Sequence, residues 1–95
     1  MTEPAGRDGV RGEAVIVNAE GLHLRPATAF ASIVIKSGCQ VMIVTERGSA
    51  NGSSVLELAM LAAPQGTKLE IQVTGDGCAG VLTQLTSLVG AGFKG

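Results

Sequence analysis

The sequence contains no tryptophan and no tyrosine, and its only aromatic residues are Phe30 and Phe93. Proteins that bind single-stranded nucleic acids use aromatic side chains on which bases stack, and nucleic-acid proteins in general carry a basic stripe. Here seven basic side chains stand against eight acidic ones, for a formal net charge of −1. The composition therefore argues against a nucleic-acid-binding protein, and it predicts a core of aliphatic side chains.

Metal ligands and disulfide partners are also few. The chain has one histidine, His23, and two cysteines, Cys39 and Cys78, which are far apart in sequence. A structural zinc site needs four such ligands, usually in closely spaced pairs, so we expect neither a metal nor another cofactor. The two cysteines are typical of small buried side chains in a reducing compartment.

The sequence also lacks a long apolar run, since none approaches the roughly 20 residues that cross a bilayer. The N-terminal stretch "MTEPAGRDGVRG" has no apolar region typical of a signal peptide. We therefore expect a cytoplasmic protein without membrane insertion. The length suits one domain. Residues 1–12 are predicted to be a flexible tail, residues 13–91 the domain, and residues 92–95 a short C-terminal tail.

The pattern of apolar residues predicts seven secondary-structure elements in the order β-α-β-β-α-β-α. They are a strand over 13–18, a helix entered at Pro26 and left at Gly38, a strand over 40–46, a turn over 47–51 leading into a short strand, a helix within 53–63, a strand over 67–75, and a helix after Asp76. Ser54 and Glu57 have the spacing of a capping box, and Asp76 is predicted to cap the last helix. The last strand alternates apolar and polar residues, which predicts a sheet with one solvent-exposed face and an α+β two-layer sandwich.

The single histidine lies in the stretch "GLHLRPA". Gly21 permits a tight turn, and Pro26 is favoured in the first turn of a helix, so His23 is predicted at a helix N-terminus. Unpaired N–H groups and the helix dipole favour an anion there. Arg25 adds a permanent cation whose planar fork suits phosphate oxygens. The pattern predicts a histidine that accepts a phosphoryl group as a nucleophile, in a relay and not in a self-sufficient enzyme.

The motif "GLHLRPA" resembles the active-site motif of HPr, the histidine-containing phosphocarrier family of the bacterial phosphoenolpyruvate-dependent sugar phosphotransferase system (PTS). A second block, "ANGSSVLELAMLAAPQGTKLEIQVTG", resembles the family's segment around a regulatory serine. The resemblance runs over residues 13–89, which is most of the chain. It implies the family's fold, an open-faced β-sandwich in which a four-stranded antiparallel sheet carries three helices on one face.

The resemblance also implies a mechanism and partners. His23 would accept a phosphoryl group through Nδ1 from phosphorylated Enzyme I, which is charged by phosphoenolpyruvate, and would pass it to an EIIA domain of a sugar permease system. Arg25 and the N–H groups of Leu24 and Arg25 would hold the phosphoryl oxygens. Leu24, Val55 and Leu56 would form the apolar patch on which both partners dock in turn, with the carrier acting as a monomer.

Other positions bear on regulation and docking. Ser54 lies where many family members are phosphorylated by HPr kinase/phosphorylase, and this role and a purely capping role both stay open. Leu24 stands where the family usually has a small or hydroxyl residue. Ser32, Ile35 and Glu57 stand on the docking face where relatives often carry lysines, so the match to an acidic partner surface is weaker.

Two alternative functions stay open on the sequence alone. In the first, His23 is still phosphorylated, but the chain serves a nitrogen-related branch or a dihydroxyacetone kinase. In the second, the chain is an HPr-like interaction module controlled through Ser54, and the histidine is incidental. A metal-binding domain is excluded by the number of ligands.

Overall fold

A computed structural model describes residues 9–94, and the rest of both predicted tails, residues 1–8 and residue 95, lies outside the described residues. The element order is β-α-β-β-α-β-α, as predicted. The elements are β1 (Gly9–Val15), α1 (Leu24–Ser37), β2 (Gln40–Thr45), β3 (Gly48–Asn51), α2 (Val55–Met60), β4 (Lys68–Thr74) and α3 (Cys78–Gly90). The stretch predicted as a turn before the short strand, residues 47–51, is itself mostly strand, because residues 48–51 pair with β2.

The four strands form one sheet in the order β1-β4-β2-β3, and every neighbouring pair is antiparallel. Ile71 of the central strand β4 lies opposite Gly12 of β1 and Ile43 of β2. Along β4, Leu69, Ile71 and Val73 are buried while the residues between them are half-buried. The sheet therefore has one covered and one open face, which confirms the predicted α+β sandwich.

The helices cover the inner face of the sheet. α3 packs on β1 and β4, and α1 packs against α2 and α3. The largest fully buried side chains are aliphatic apart from one phenylalanine: Phe30, Ile16, Ile43, Leu58, Leu69, Ile71, Leu85, Val34, Val73 and Val89. Between residues 9 and 94, no helix is both long and apolar enough to cross a bilayer.

β1 differs from the predicted strand at both ends, because it begins at Gly9 and stops at Val15. Pairing with β4 already starts where Gly9 lies opposite Thr74, so part of the predicted tail belongs to the sheet. A Cβ at residue 12 would lie 3.3 Å from Leu82 Cδ2 of α3. Gly12 therefore lets α3 approach β1 closely. The glycines and charges of this segment indicate a flexible tail when the sequence is considered alone.

The chain after α3 is anchored at the start of the predicted C-terminal tail. Gly92 has φ +71, its N–H donates to Val89 O at 3.0 Å, and Phe93 N–H donates to Leu88 O at 2.8 Å. This pair of bonds is a Schellman motif, which satisfies the last carbonyls of a helix. Phe93 is half-buried and packs against the core, so the tail prediction is wrong for this residue.

The prediction that Asp76 caps α3 is also wrong. The N-cap is Gly77, with φ 75 and no side-chain capping bond, because the chain turns through Gly75 and Gly77, both with positive φ. The carbonyl of Asp76 instead accepts a hydrogen bond from Cys39 Sγ at 3.3 Å. Cys39 is buried, as predicted, whereas Cys78 is only half-buried.

Candidate functional site

The turn before His23 is held by backbone contacts with the α2–β4 connection. Gly21 has φ +74, its N–H donates to Asn18 O at 3.1 Å, and Asn18 Nδ2 donates to Gly21 O at 2.7 Å. Leu22 N–H donates to Ala63 O at 2.8 Å. A Cβ on Gly21 would collide with Ala63 O, so this position requires glycine both for its φ and for the close approach.

His23 lies at the N-terminus of α1, where the sequence predicted it. It is the N-cap, with extended backbone angles of φ −120 and ψ −166, and its carbonyl accepts the N–H of Ala27 at 2.9 Å. The imidazole makes no capping hydrogen bond and the side chain is exposed. The imidazole is therefore an exposed side chain at the open end of a helix.

The first turn of α1 concentrates groups that favour an anion. Leu24 and Arg25 are its first two residues, so their N–H groups have no intrahelical acceptor, and Pro26 has no N–H. The Arg25 side chain is exposed and takes no part in either ion pair found within residues 9–94. No acidic residue lies in this turn. Glu20 is exposed and lines the same surface depression as His23. Its negatively charged carboxylate would repel an anion bound at the helix start.

That depression is shallow and lies between the start of α1 and the end of α2. Its far wall consists of small side chains, Ala59, Ala62, Ala63 and Pro64. Ala62 has φ +50, a left-handed conformation that costs a non-glycine residue about 1 kcal/mol. The wall leaves the space beside the imidazole open to a partner.

The predicted docking residues are not equally accessible. Leu24 is 62% exposed and Leu56 is 68% exposed, whereas Val55 is half-buried and packs against the core. Sequence reasoning missed Met60, which is 73% exposed. Met60 follows Leu56 by four residues, and this spacing places both on one side of a helix, so the signal was present in the sequence.

Ser54 is the N-cap of α2, and its Oγ accepts the N–H of Glu57 at 3.1 Å. The reciprocal half of the predicted capping box does not form. Glu57 Oε1 accepts instead from Asn51 N–H at 2.8 Å, while Ser54 N–H donates to Asn51 O at 3.1 Å. The Ser54 cap is confirmed. The Glu57 side chain stabilises the turn between β3 and α2 and does not complete the capping box.

The arrangement of strands and helices is that of solved HPr structures. The structure is similar to a crystal structure of HPr from Thermoanaerobacter tengcongensis, with a TM-score of 0.82 and 25% identity, covering 88% of this chain and 94% of that one. It also shares its fold with HPr from Bacillus anthracis, with a TM-score of 0.79 and 22% identity over 85% of this chain and 96% of that one.

The sequence comparison gives the family. Residues 10–91 match the family model described as the PTS HPr component phosphorylation site, so this chain belongs to the HPr family of phosphocarriers. It is 33% identical over 82 residues to HPr of Pseudomonas aeruginosa, covering 85% of this chain and 91% of the relative. It is 32% identical over 78 residues to HPr of Neisseria meningitidis serogroup A, covering 82% of this chain and 88% of the relative.

Proposed function

We propose that this chain carries a phosphoryl group on His23 from phosphorylated Enzyme I to an EIIA domain of a sugar uptake system. The observation that carries the proposal is the state of His23, an exposed N-cap whose imidazole makes no capping bond at an open helix start. Membership of the HPr family, whose model is named for a phosphorylation site, supports this assignment.

In the first step, the P–N bond of the donor's phosphohistidine breaks as a P–N bond forms at His23 Nδ1. In the second step, the new bond breaks as the phosphoryl group passes to the acceptor histidine. Neither step needs a cofactor, because phosphoryl transfer requires mainly position and charge compensation. Arg25 supplies a permanent cation, and the N–H groups of Leu24 and Arg25, which lack intrahelical acceptors, would donate hydrogen bonds to the oxygens of the arriving phosphoryl group.

The proposal places the relay in the cytoplasm and the carrier in a monomeric state. The identity of the acceptor protein distinguishes a sugar-uptake relay from a regulatory one. Transfer to an EIIA domain of a sugar permease is the expected result, whereas transfer only to a nitrogen-related EIIA or to a dihydroxyacetone kinase would assign the chain to a regulatory branch.

The test is to mix the full chain with Enzyme I of the same organism and phosphoenolpyruvate, and to follow the intact mass. We expect one acid-labile phosphoryl group on the wild type and none on His23→Ala, with circular dichroism showing that the variant is folded. Arg25→Gln should still be phosphorylated, about 100-fold more slowly, because one charged contact is lost.

The absence of an adduct on the folded wild type would overturn the relay. Unchanged partner binding by His23→Ala, combined with no phosphorylation of the wild type, would favour the interaction module instead.

We propose a secondary, regulatory role for Ser54. The hydroxyl is half-buried and directly precedes Val55 and Leu56, so a phosphate there would bring two negative charges to the edge of the docking patch. Incubation with HPr kinase and ATP should phosphorylate the wild type but not Ser54→Ala, and should slow phosphorylation of His23. Equal rates at His23 with and without phosphoserine would contradict this role.

A further inference from the structure

The depression beside His23 contains one acidic side chain, that of Glu20. Glu20 and His23 are the only residues with polar side chains in its lining, and the other lining residues are two leucines, three alanines and a proline. Apolar walls screen charge less well than water does. A carboxylate and a phosphoryl group in this depression therefore interact more strongly than two charges on an open surface.

The backbone holds Glu20 in place before His23. Glu20 is the third residue of a turn that is closed by a bond of 3.1 Å from Gly21 N–H to Asn18 O. Asn18 Nδ2 donates back to Gly21 O at 2.7 Å, and the buried Leu22 anchors the chain between this turn and the histidine. The backbone of Glu20 therefore cannot leave the site without breaking these contacts.

The Glu20 carboxylate has no neutralising partner in the part of the chain that the structure describes. It belongs to neither ion pair within residues 9–94, and it accepts no hydrogen bond there. Arg25, two residues after His23, is also outside both ion pairs. An unpaired anion and an unpaired cation thus flank His23 in the chain, and they act on a phosphoryl group at the imidazole with opposite signs.

Transfer between two histidines makes the surroundings of each imidazole decisive. One P–N bond breaks on the donor histidine as another P–N bond forms at His23 Nδ1, so the bond energies nearly cancel. The charges around the two imidazoles then decide the equilibrium. A carrier that holds its phosphoryl group too firmly does not release it to the acceptor.

We propose that the Glu20 carboxylate destabilises the phosphohistidine at His23 and so raises the tendency of the carrier to pass the phosphoryl group on. The inference rests on the proposed function and deepens it, because it assigns opposing roles to the two charges. Arg25 holds the phosphoryl group, and Glu20 limits how firmly it is held. Glu20 acts through space by its charge alone, so its effect decreases as salt increases.

The test mixes phosphorylated Enzyme I of the same organism, freed of phosphoenolpyruvate, with an equal amount of carrier, and it measures the equilibrium constant of the transfer from the intact masses of both proteins. The constant for Glu20→Gln should exceed that of the wild type about threefold at about 50 mM NaCl, and less than about 1.5-fold at about 500 mM. Glutamine has the size of glutamate and the exposed carboxylate makes no bond, so the variant should fold normally.

Asp76→Asn is the matched control, because it removes an exposed carboxylate at the other end of the molecule. The Asp76 carbonyl contacts Cys39, which follows the far end of α1. A helix of this length separates it from His23 by about 20 Å, well beyond the Debye length of about 10 Å at 0.1 M salt. Asp76→Asn should therefore give the equilibrium constant of the wild type.

Three results would overturn the inference and leave the relay standing. They are a wild-type equilibrium constant in Glu20→Gln at low salt, a shift that persists undiminished at high salt, and an equal shift in Asp76→Asn. A folded wild type that takes no phosphoryl group at His23 would instead overturn the proposed function and the inference together.

Discussion

The two helices that flank the depression begin in opposite ways. At the start of α1, the N-cap His23 makes no side-chain capping bond, and the first N–H groups are left without an intrahelical acceptor. At the start of α2, Ser54 Oγ accepts the N–H of Glu57, and the Glu57 carboxylate accepts the N–H of Asn51. One start is open to an external anion, and the other is closed by its own side chains.

Under the proposed function, the open start of α1 is a position where a loss of stability serves phosphoryl transfer. A missing N-cap costs about 1 kcal/mol of folding free energy. The open start of α1 is held in place by other contacts, chiefly the bond from Leu22 N–H to Ala63 O and the burial of Pro26 and Ala27. The closed start of α2 needs its cap, because a helix of six residues has little stability of its own.

The largest expected effect on stability is at Gly21, in the turn that precedes His23 and the open start of α1. Gly21→Ala should lower the free energy of unfolding by about 3 kcal/mol, because a Cβ both meets Ala63 O and disfavours the positive φ. Gly38→Ala is the matched control. Gly38 has φ +73 but no atom near a built Cβ, so its loss should be about 1 kcal/mol. Urea unfolding measures both, and equal losses would contradict the contact with Ala63.

The second prediction concerns the closed start. Ser54→Ala removes the cap of α2 and should lower the free energy of unfolding by about 1 kcal/mol. The neighbouring Ser53→Ala removes only an exposed hydroxyl that donates to Asn51 Oδ1 at 2.7 Å, and it should cost less than half as much. Thermal unfolding of both variants provides the measurement. A larger loss for Ser53→Ala would show that the turn, not the cap, stabilises α2.

The smallest expected effect is a gain in stability at the open start. His23→Asp places a good N-cap where the imidazole makes no capping bond, and its carboxylate interacts favourably with the helix dipole. The free energy of unfolding at neutral pH should rise by about 0.5 kcal/mol relative to His23→Ala, with phosphohistidine formation abolished. A fall in stability would mean that the first N–H groups of α1 are already satisfied in solution.

Sequence reasoning predicted elements whose pattern is local and missed features that depend on distant contacts. The alternation along β4 and the exit of α1 at Gly38 are both local, and both are confirmed. The first part of β1 is a strand because it pairs with β4, about 60 residues away, and not because its residues favour strands. The bond from Asn51 N–H to Glu57 spans only six residues, but it depends on the backbone turn between β3 and α2, which the capping-box pattern does not specify.

The same distinction holds within the site. His23, Leu24 and Arg25 are contiguous in sequence, so one motif was enough to predict all three as site residues. The partner of the turn, Ala63, lies some 40 residues further along the chain, and nothing in its own surroundings marks the contact. Met60 was detectable from helical spacing alone, but its exposure depends on how α2 packs against α1.

The hydrogen bond from Leu22 N–H to Ala63 O has a consequence for observing the protein in motion. Leu22 is buried, so its amide proton exchanges with deuterated solvent only when the segment before His23 separates from the α2–β4 connection. Its protection factor therefore reports the equilibrium between the closed and the opened segment. Compared with the protection of Ala27 N–H in the same helix start, it separates detachment of the turn from fraying of α1.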